Sequence, residues 1–468
     1  MEQTKKRLSF KEKVGYSLGD MASNLYFQTF VIFLPIFYTD VFGISAAAMG
    51  TMMLVTRIWD AVNDPVMGMI ADRTNTRWGK FRPYIIGFAI PLAFVGVLAF
   101  TVPDLGASGK LVYAYATYML LMVLYTAINV PYAALMGVIT PNSMERAEVS
   151  SYRFVAAFAG QFIVGAAALV LVDYFGGGNE AKGWQYTMGA FGFLAVALLF
   201  STFFMTRERV MPVKEKRNKI RDDLKDLVKN KPWVLIGLAT IFQLTFIVMR
   251  GSSTTYYFRY FVEDQQLQIF GTVINLTYTV FTSSFVTIGT LATLIGAVLT
   301  GVFTKHLDKK KIYSGFLMSS ALFSCFFFFL QPENVLLMYT LNVLVSFFIR
   351  SVSVLQWAIY TDAADFGEWK FGRRATALVM AASLFALKLG LTFGGTLVGW
   401  LLEFHNFVPL VSQTEEAITG IRLLMSIYPA IFGLIGGLIM LYYPLKDSDM
   451  ITIEKDLTER SGVEESGL

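Results

Sequence analysis

Asp60 and Asp64 stand four residues apart in TMMLVTRIWDAVNDPVMGMIA. In a helix that spacing puts both carboxylates on one face, about a turn from each other. The flanking residues are apolar, and a charge near a bilayer centre costs at least about 2.5 to 3.5 kcal/mol, so such carboxylates normally face an aqueous cavity or a bound ion. Two hard oxygen donors suit Na⁺, and one of them suits a proton. The plainer alternative is an ion pair with Arg57, but a single arginine neutralises only one of the two.

Other ionisable residues interrupt apolar runs. Asp20 lies in VGYSLGDMASNLYF, Arg153 in SSYRFVAAFAG, and Lys388 in SLFALKLGLTFGG, too deep to snorkel easily to a membrane surface. An Asp20 to Arg153 ion pair is one reading of the first two, and a static counter-ion is one reading of Lys388. Arg250 and Arg350 occupy the middles of FIVMRGSSTTYYF and VSFFIRSVSVLQW. Together with Arg57, Arg153 and Lys388 they outnumber Asp20, Asp60 and Asp64. That surplus suits a solute carboxylate, which guanidinium groups grip through two parallel bonds. Bonds to backbone carbonyls, or pairing with Asp362 or Asp365, would account for Arg250 and Arg350 equally well.

Such residues need elements that keep them out of water yet reachable. The chain has 468 residues, 55% hydrophobic and 16% charged, with mean hydropathy +0.54. This is far too apolar for a soluble globule of that size. Apolar stretches of about 20 residues, each able to cross a hydrocarbon core as a helix, recur along nearly the whole length. They fall near 14–41, 45–71, 82–103, 110–140, 147–173 and 184–206, then near 232–262, 270–304, 311–330, 334–361, 374–403 and 420–444. The expected organisation is a six-helix bundle over 1–206, a basic linker over 207–231, a second six-helix bundle over 232–445 and a tail over 446–468. Lys and Arg gather in the N-terminal segment, in ADRTNTRWGKFRP, in the linker and in KHLDKKKIY. The positive-inside rule therefore puts both termini in the cytoplasm. GMIADRTNTRWGKFRP and TGVFTKHLDKKKIYSG form a faint repeat between the halves, as expected of two bundles that rock about a midplane site.

Several chemistries are excluded. Cys325 is the single cysteine, and His306 and His405 lie apart with no ligand cluster around them, so thiolate and imidazole metal sites have no basis. No GxxxxGK[ST] loop is present for ATP-driven transport. The basic start MEQTKKRLSFKEKVG lacks a small-residue cleavage site, so no removable signal peptide is expected.

RIWDAVNDPVMG, ADRTNTRWGKFRP, YTAINVPYAALMGVIT, DAADFGEW and FALKLGLTFGG occur in order, from GYSLGD to the final span. In these motifs the chain resembles the glycoside, pentoside and hexuronide to cation symporters, the melibiose permease family of the major facilitator superfamily, and within it the xyloside and glucuronide branch. The resemblance implies an all-α membrane protein of twelve spans in the inner membrane, acting as a monomer. It implies sugar uptake coupled to Na⁺ or H⁺ by alternating access, with no cofactor, no enzymatic activity and no nucleic-acid partner. It carries a cation site to Asp60, Asn63, Asp64 and Thr126. Sugar contacts fall on Asp20, Arg153, Gln356 and Asn129, with Lys388 between the sugar and cation sites; independently of the resemblance, Tyr26 or Trp59 could supply the ring face that sugars pack against. Asp72, Arg73 and Arg77 form the cytoplasmic turn that braces the bundles, and DAADFGEWKFGRR takes the matching place in the second half. Asn129 and Ala133 depart from melibiose permease, which has an aspartate and a tryptophan there, so galactoside recognition is not expected. A lipid or lysolipid carrier of the same fold, and a sugar sensor, stay open as alternatives.

Overall fold

The computed structural model describes residues 7–140, 142–209, 226–269, 272–372 and 376–466. Helices account for nearly all of it. They are α1 (Phe10–Ile32), α2 (Ala46–Arg73), α3 (Arg82–Ala99), α4 (Ala107–Ile139), α5 (Ser143–Gly176) and α6 (Glu180–Met205) in the first set. The second set is α7 (Lys231–Tyr257), α8 (Tyr278–Phe303), α9 (Lys309–Phe326), α10 (Val335–Phe371), α11 (Thr376–Phe404), α12 (Glu415–Met425) and α13 (Ile427–Leu441), followed by α14 (Asp447–Ser466).

Among the described residues ten helices are long and apolar enough to cross a bilayer, the pair Glu415–Leu441 counting as one. An eleventh span is α1 with its continuation Leu34–Phe42, bent by 56°. Pro35 stands at the bend with no N–H to give, and Gly43 ends the continuation at φ +84°. The helix α2, 28 residues long, falls short of that test, because Arg57, Asp60, Asn63 and Asp64 lower its apolarity. Large apolar side chains such as Phe193 and Leu336 stand 78% and 83% exposed, a surface that suits lipid.

The eighth span begins later than the apolar run suggests. Gln265–Ile269 and Thr272–Leu276 pair as an antiparallel hairpin before α8 starts at Tyr278. The β-branched residues of TVINL fit a strand better than a helix end. The expected linker lies mostly outside the described residues, as do Arg373 and Arg374 of DAADFGEWKFGRR.

The chain divides into two compact units. Unit 1 comprises Met1–Lys214, Phe258–Thr287 and Leu402–Thr414, and unit 2 comprises Glu215–Tyr257, Ile288–Leu401 and Glu415–Leu468. Within unit 1, α1 packs on α5 and α6, and α4 on α2 and α3. A Cβ at Gly160 would come 2.7 Å from the Met21 carbonyl, so glycine is what permits α5 to approach α1 so closely. Within unit 2, α9 packs on α10 and α13, and α13 on α7.

Candidate functional site

The first cluster forms where α2 meets α4. The Thr126 hydroxyl lies 2.8 Å from Asp60 Oδ1 and 3.2 Å from Asp64 Oδ1. Asp60 and Thr126 are buried, while Asn63 and Asp64 are half-buried. One hydroxyl carries one proton, so it can donate to only one of these carboxylates at a time. The cluster thus gathers three oxygen-bearing side chains, two of them carboxylates, at one point between α2 and α4. Pro131, inside α4, also removes the helical donor for the Ala127 carbonyl, next to Thr126.

The second cluster forms where α1 meets α5. Arg153 Nε donates to Asp20 Oδ2 at 2.9 Å, with the side chains 39% and 14% exposed. The Arg153 guanidinium carbon lies 6.0 Å from the centre of the Tyr132 ring. Tyr132 in turn stacks on Tyr16 at 4.6 Å, and each hydroxyl donates to the other residue's carbonyl, at 2.8 and 3.1 Å. These bonds set α1 against α4 beneath Asp20. Asn129 Oδ1 accepts from Ser23 Oγ at 2.7 Å, and Asn129 Nδ2 donates to the Tyr125 carbonyl at 2.9 Å. Tyr125 stands next to Thr126 of the first cluster and its carbonyl accepts from Asn129 of the second, so α4 carries residues of both. Nothing in the sequence beyond its place before Thr126 points to it.

Tyr26 is 1% exposed, with its ring seated against Gly96 and Gly192, so packing occupies its face. Trp59 is 44% exposed. The structure thus brings Asp60, Asp64 and Thr126 together in unit 1, and Asp20 with Arg153 and Asn129 close to Tyr125.

Unit 2 holds the remaining candidates. Gln356 is 2% exposed and donates through Nε2 to the Tyr360 hydroxyl at 2.6 Å, which shares a hydrogen bond of 2.7 Å with Thr240. Arg250 is buried, and its guanidinium bonds Ser324 Oγ at 3.1 Å, the Met425 carbonyl at 3.5 Å and Asn342 Oδ1 at 3.3 Å. The Phe327 ring covers it at 4.4 Å. Arg350 and Lys388 are half-buried on α10 and α11. Lys309 takes Asp362 as an ion-pair partner.

In the turn after α2, Asp72 pairs with Lys80 at 3.0 Å, Arg77 lies 5.0 Å over Trp78, and Arg73 is exposed. Sequence reasoning missed the residue that holds this turn. Glu208 accepts from the backbone N–H groups of Lys80, Phe81 and Arg82 at 2.8, 2.7 and 3.0 Å, a carboxylate seated on the N-terminus of α3. Gly79 has φ +109°, and a Cβ there would meet Glu208 Oε1 at 2.5 Å.

A third polar cluster, also missed, lies within unit 1 at the opposite ends of the spans. Arg259 makes two parallel bonds of 3.0 Å to Glu180 and lies 3.7 Å from the buried Asp40. Tyr260 donates to Asp40, and Tyr278 donates to Glu180 at 3.3 Å. No motif marks these residues, which are drawn from three separate stretches of the chain.

Comparison with known proteins places the chain. The family model described as MFS/sugar transport protein matches residues 15–447. The Inner membrane symporter YicJ of Escherichia coli (strain K12) is 37% identical over 97% of this chain and 95% of its own length. The Isoprimeverose transporter of Lactiplantibacillus pentosus is 35% identical over 94% and 89% respectively. Among solved structures, the D-xylose-proton symporter superposes with TM-score 0.61 at 13% identity, covering 93% of this chain and 98% of that one, a likeness of fold. The chain therefore belongs to the glycoside–pentoside–hexuronide:cation symporters of the major facilitator superfamily, as a multi-pass membrane transporter.

Proposed function

We propose that this protein carries a pentoside-type glycoside inward, driven by Na⁺, with both termini in the cytoplasm. The single observation that carries the reading is the Thr126 hydroxyl set between Asp60 and Asp64 in the same unit as the Asp20–Arg153 pair. Carboxylate, amide and hydroxyl oxygens are hard donors of the kind that Na⁺ takes. Asp60, Asn63, Asp64 and Thr126 would hold the ion. Asp20 would accept sugar hydroxyls and Arg153 would donate to them, with Asn129 and Gln356 as further partners. Lys388 takes the coupling role by resemblance.

The relative named as an isoprimeverose transporter supports a glycoside as the cargo. A uronide is the second reading. It is weakened at Arg250, whose guanidinium is already spent on Ser324, Asn342 and Met425, and it rests on Arg350.

A panel of neutral β-xylosides, galactosides, glucuronides and uronic-acid oligosaccharides, measured for binding and uptake with and without Na⁺, tests this. Xylosides should bind with Na⁺-dependent affinity, and galactosides should bind poorly, since Asn129 and Ala133 offer neither an acid nor a stacking ring. Uronide preference would move the cargo to the second reading. Binding without transport would indicate a sensor, and no sugar binding at all would leave the lipid carrier.

A further inference from the structure

α1 carries a polar stripe that the sites described above use only at its first residue. Asp20, Asn24 and Gln28 recur at i, i+4 and i+8, which keeps them on one side of the helix over about 12 Å. All three are half-buried. Asn24 Oδ1 accepts from Gln161 Nε2 at 2.9 Å, and Gln161 lies two turns beyond Arg153 on α5. Asn24 Nδ2 donates to the Asp20 carbonyl at 2.8 Å. Two partner pairs, Asp20 with Arg153 and Asn24 with Gln161, thus form successive rungs between the same two helices.

Much of the hydrogen-bonding capacity of this stripe is unused. A primary amide offers two N–H donors and an oxygen with two lone pairs. Among the described residues the Gln28 side chain makes no hydrogen bond, and the Gln161 side chain uses one donor only. Open amides set toward hydrocarbon would be costly, so a helix in a membrane keeps them toward water or a polar solute. Phe27, three residues past Asn24, falls on the same side by helical spacing and is half-buried as well. Amides that both donate and accept, beside an aromatic face, match a sugar ring, with its hydroxyl edge and its apolar C–H face. The stripe has an end: one turn past Gln161, a Cβ at Gly165 would already meet Val286 at 2.9 Å.

We propose that Asn24, Gln28 and Gln161 form a second glycosyl subsite, next to the one at Asp20 and Arg153, that holds the second ring of a disaccharide. The inference rests on the sugar-transport reading and narrows it to cargo of at least two rings. Asn24, Gln28 and Gln161 are all neutral, so this subsite takes neutral sugars.

The purified full-length transporter is titrated with methyl β-xyloside, xylobiose and isoprimeverose in saturating Na⁺. Asn24→Ala, Gln28→Ala and Gln161→Leu should each weaken a disaccharide about tenfold, the effect of one or two lost neutral hydrogen bonds, and change the monosaccharide less than twofold. Gln28→Ala removes no hydrogen bond from the fold, so it keeps the experiment readable should the Asn24 variant misfold. Equal loss for one ring and two would make the amides helix-to-helix glue and overturn the proposal, as would no loss for either. Failure of the wild type to bind any of these sugars would instead overturn the parent reading, and this one with it.

Discussion

At the scale of single residues, one hydroxyl is shared between two carboxylates. Thr126 lies within hydrogen-bond distance of both Asp60 and Asp64, and its one proton serves one of them at a time. Thr126→Ala should therefore raise the Na⁺ concentration that half-activates sugar binding by about tenfold, as loss of one hydrogen bond to a charged group would. Sugar affinity at saturating Na⁺ should stay nearly unchanged, and a titration of sugar binding against Na⁺ separates the two. Asp60 and Asp64 were legible from spacing alone, because two acids at i and i+4 in an apolar run admit few readings. Thr126 was not, since a threonine inside a helix signals nothing by itself; it came through the resemblance. The surroundings of Arg250 were illegible for a different reason. Its partners Ser324, Asn342 and Met425 lie far along the chain and are neutral, so no charge pattern marks them.

At the scale of elements, the helices followed from the lengths of the apolar runs, and their irregularities did not. The bend after α1 at Pro35 was not anticipated, and the strand Thr272–Leu276, paired with Gln265–Ile269, was hidden inside a run apolar enough to pass for helix. The cluster of Asp40, Glu180, Arg259, Tyr260 and Tyr278 ties the end of the first span and the start of the sixth to the end of the seventh and the start of the eighth. On the proposed alternating-access cycle, these ends would part when the site opens to that side. Arg259 is the only cation among them, bonded bidentately to Glu180. Arg259→Gln should loosen this closure, since it leaves Asp40 and Glu180 as two uncompensated acids. With Cys325 replaced and a cysteine at Gln28, labelling by an impermeant maleimide added outside the cell should speed up several-fold in the Arg259→Gln background. An unchanged labelling rate would make the cluster a static brace.

At the scale of the whole molecule, function requires that an ion site and a sugar site respond to each other. Thr126 and Asn129 stand three residues apart on α4, so this one helix carries part of each proposed site. On the proposed assignment, a cation held by Asp60, Asp64 and Thr126 would act through α4 on Asn129, which accepts from Ser23 on α1. By linkage the sugar must favour the cation to the same degree. The decisive measurement is accumulation of labelled xyloside in proteoliposomes under an imposed inward Na⁺ gradient, for the wild type, Asp60→Cys and Asp64→Cys, with exchange of labelled for unlabelled sugar followed in parallel. The wild type should concentrate sugar only while the gradient lasts, and both variants should lose accumulation while keeping measurable exchange. Accumulation by either variant against a sugar gradient would contradict the assignment of that carboxylate, and accumulation by the wild type without any cation gradient would contradict coupling itself.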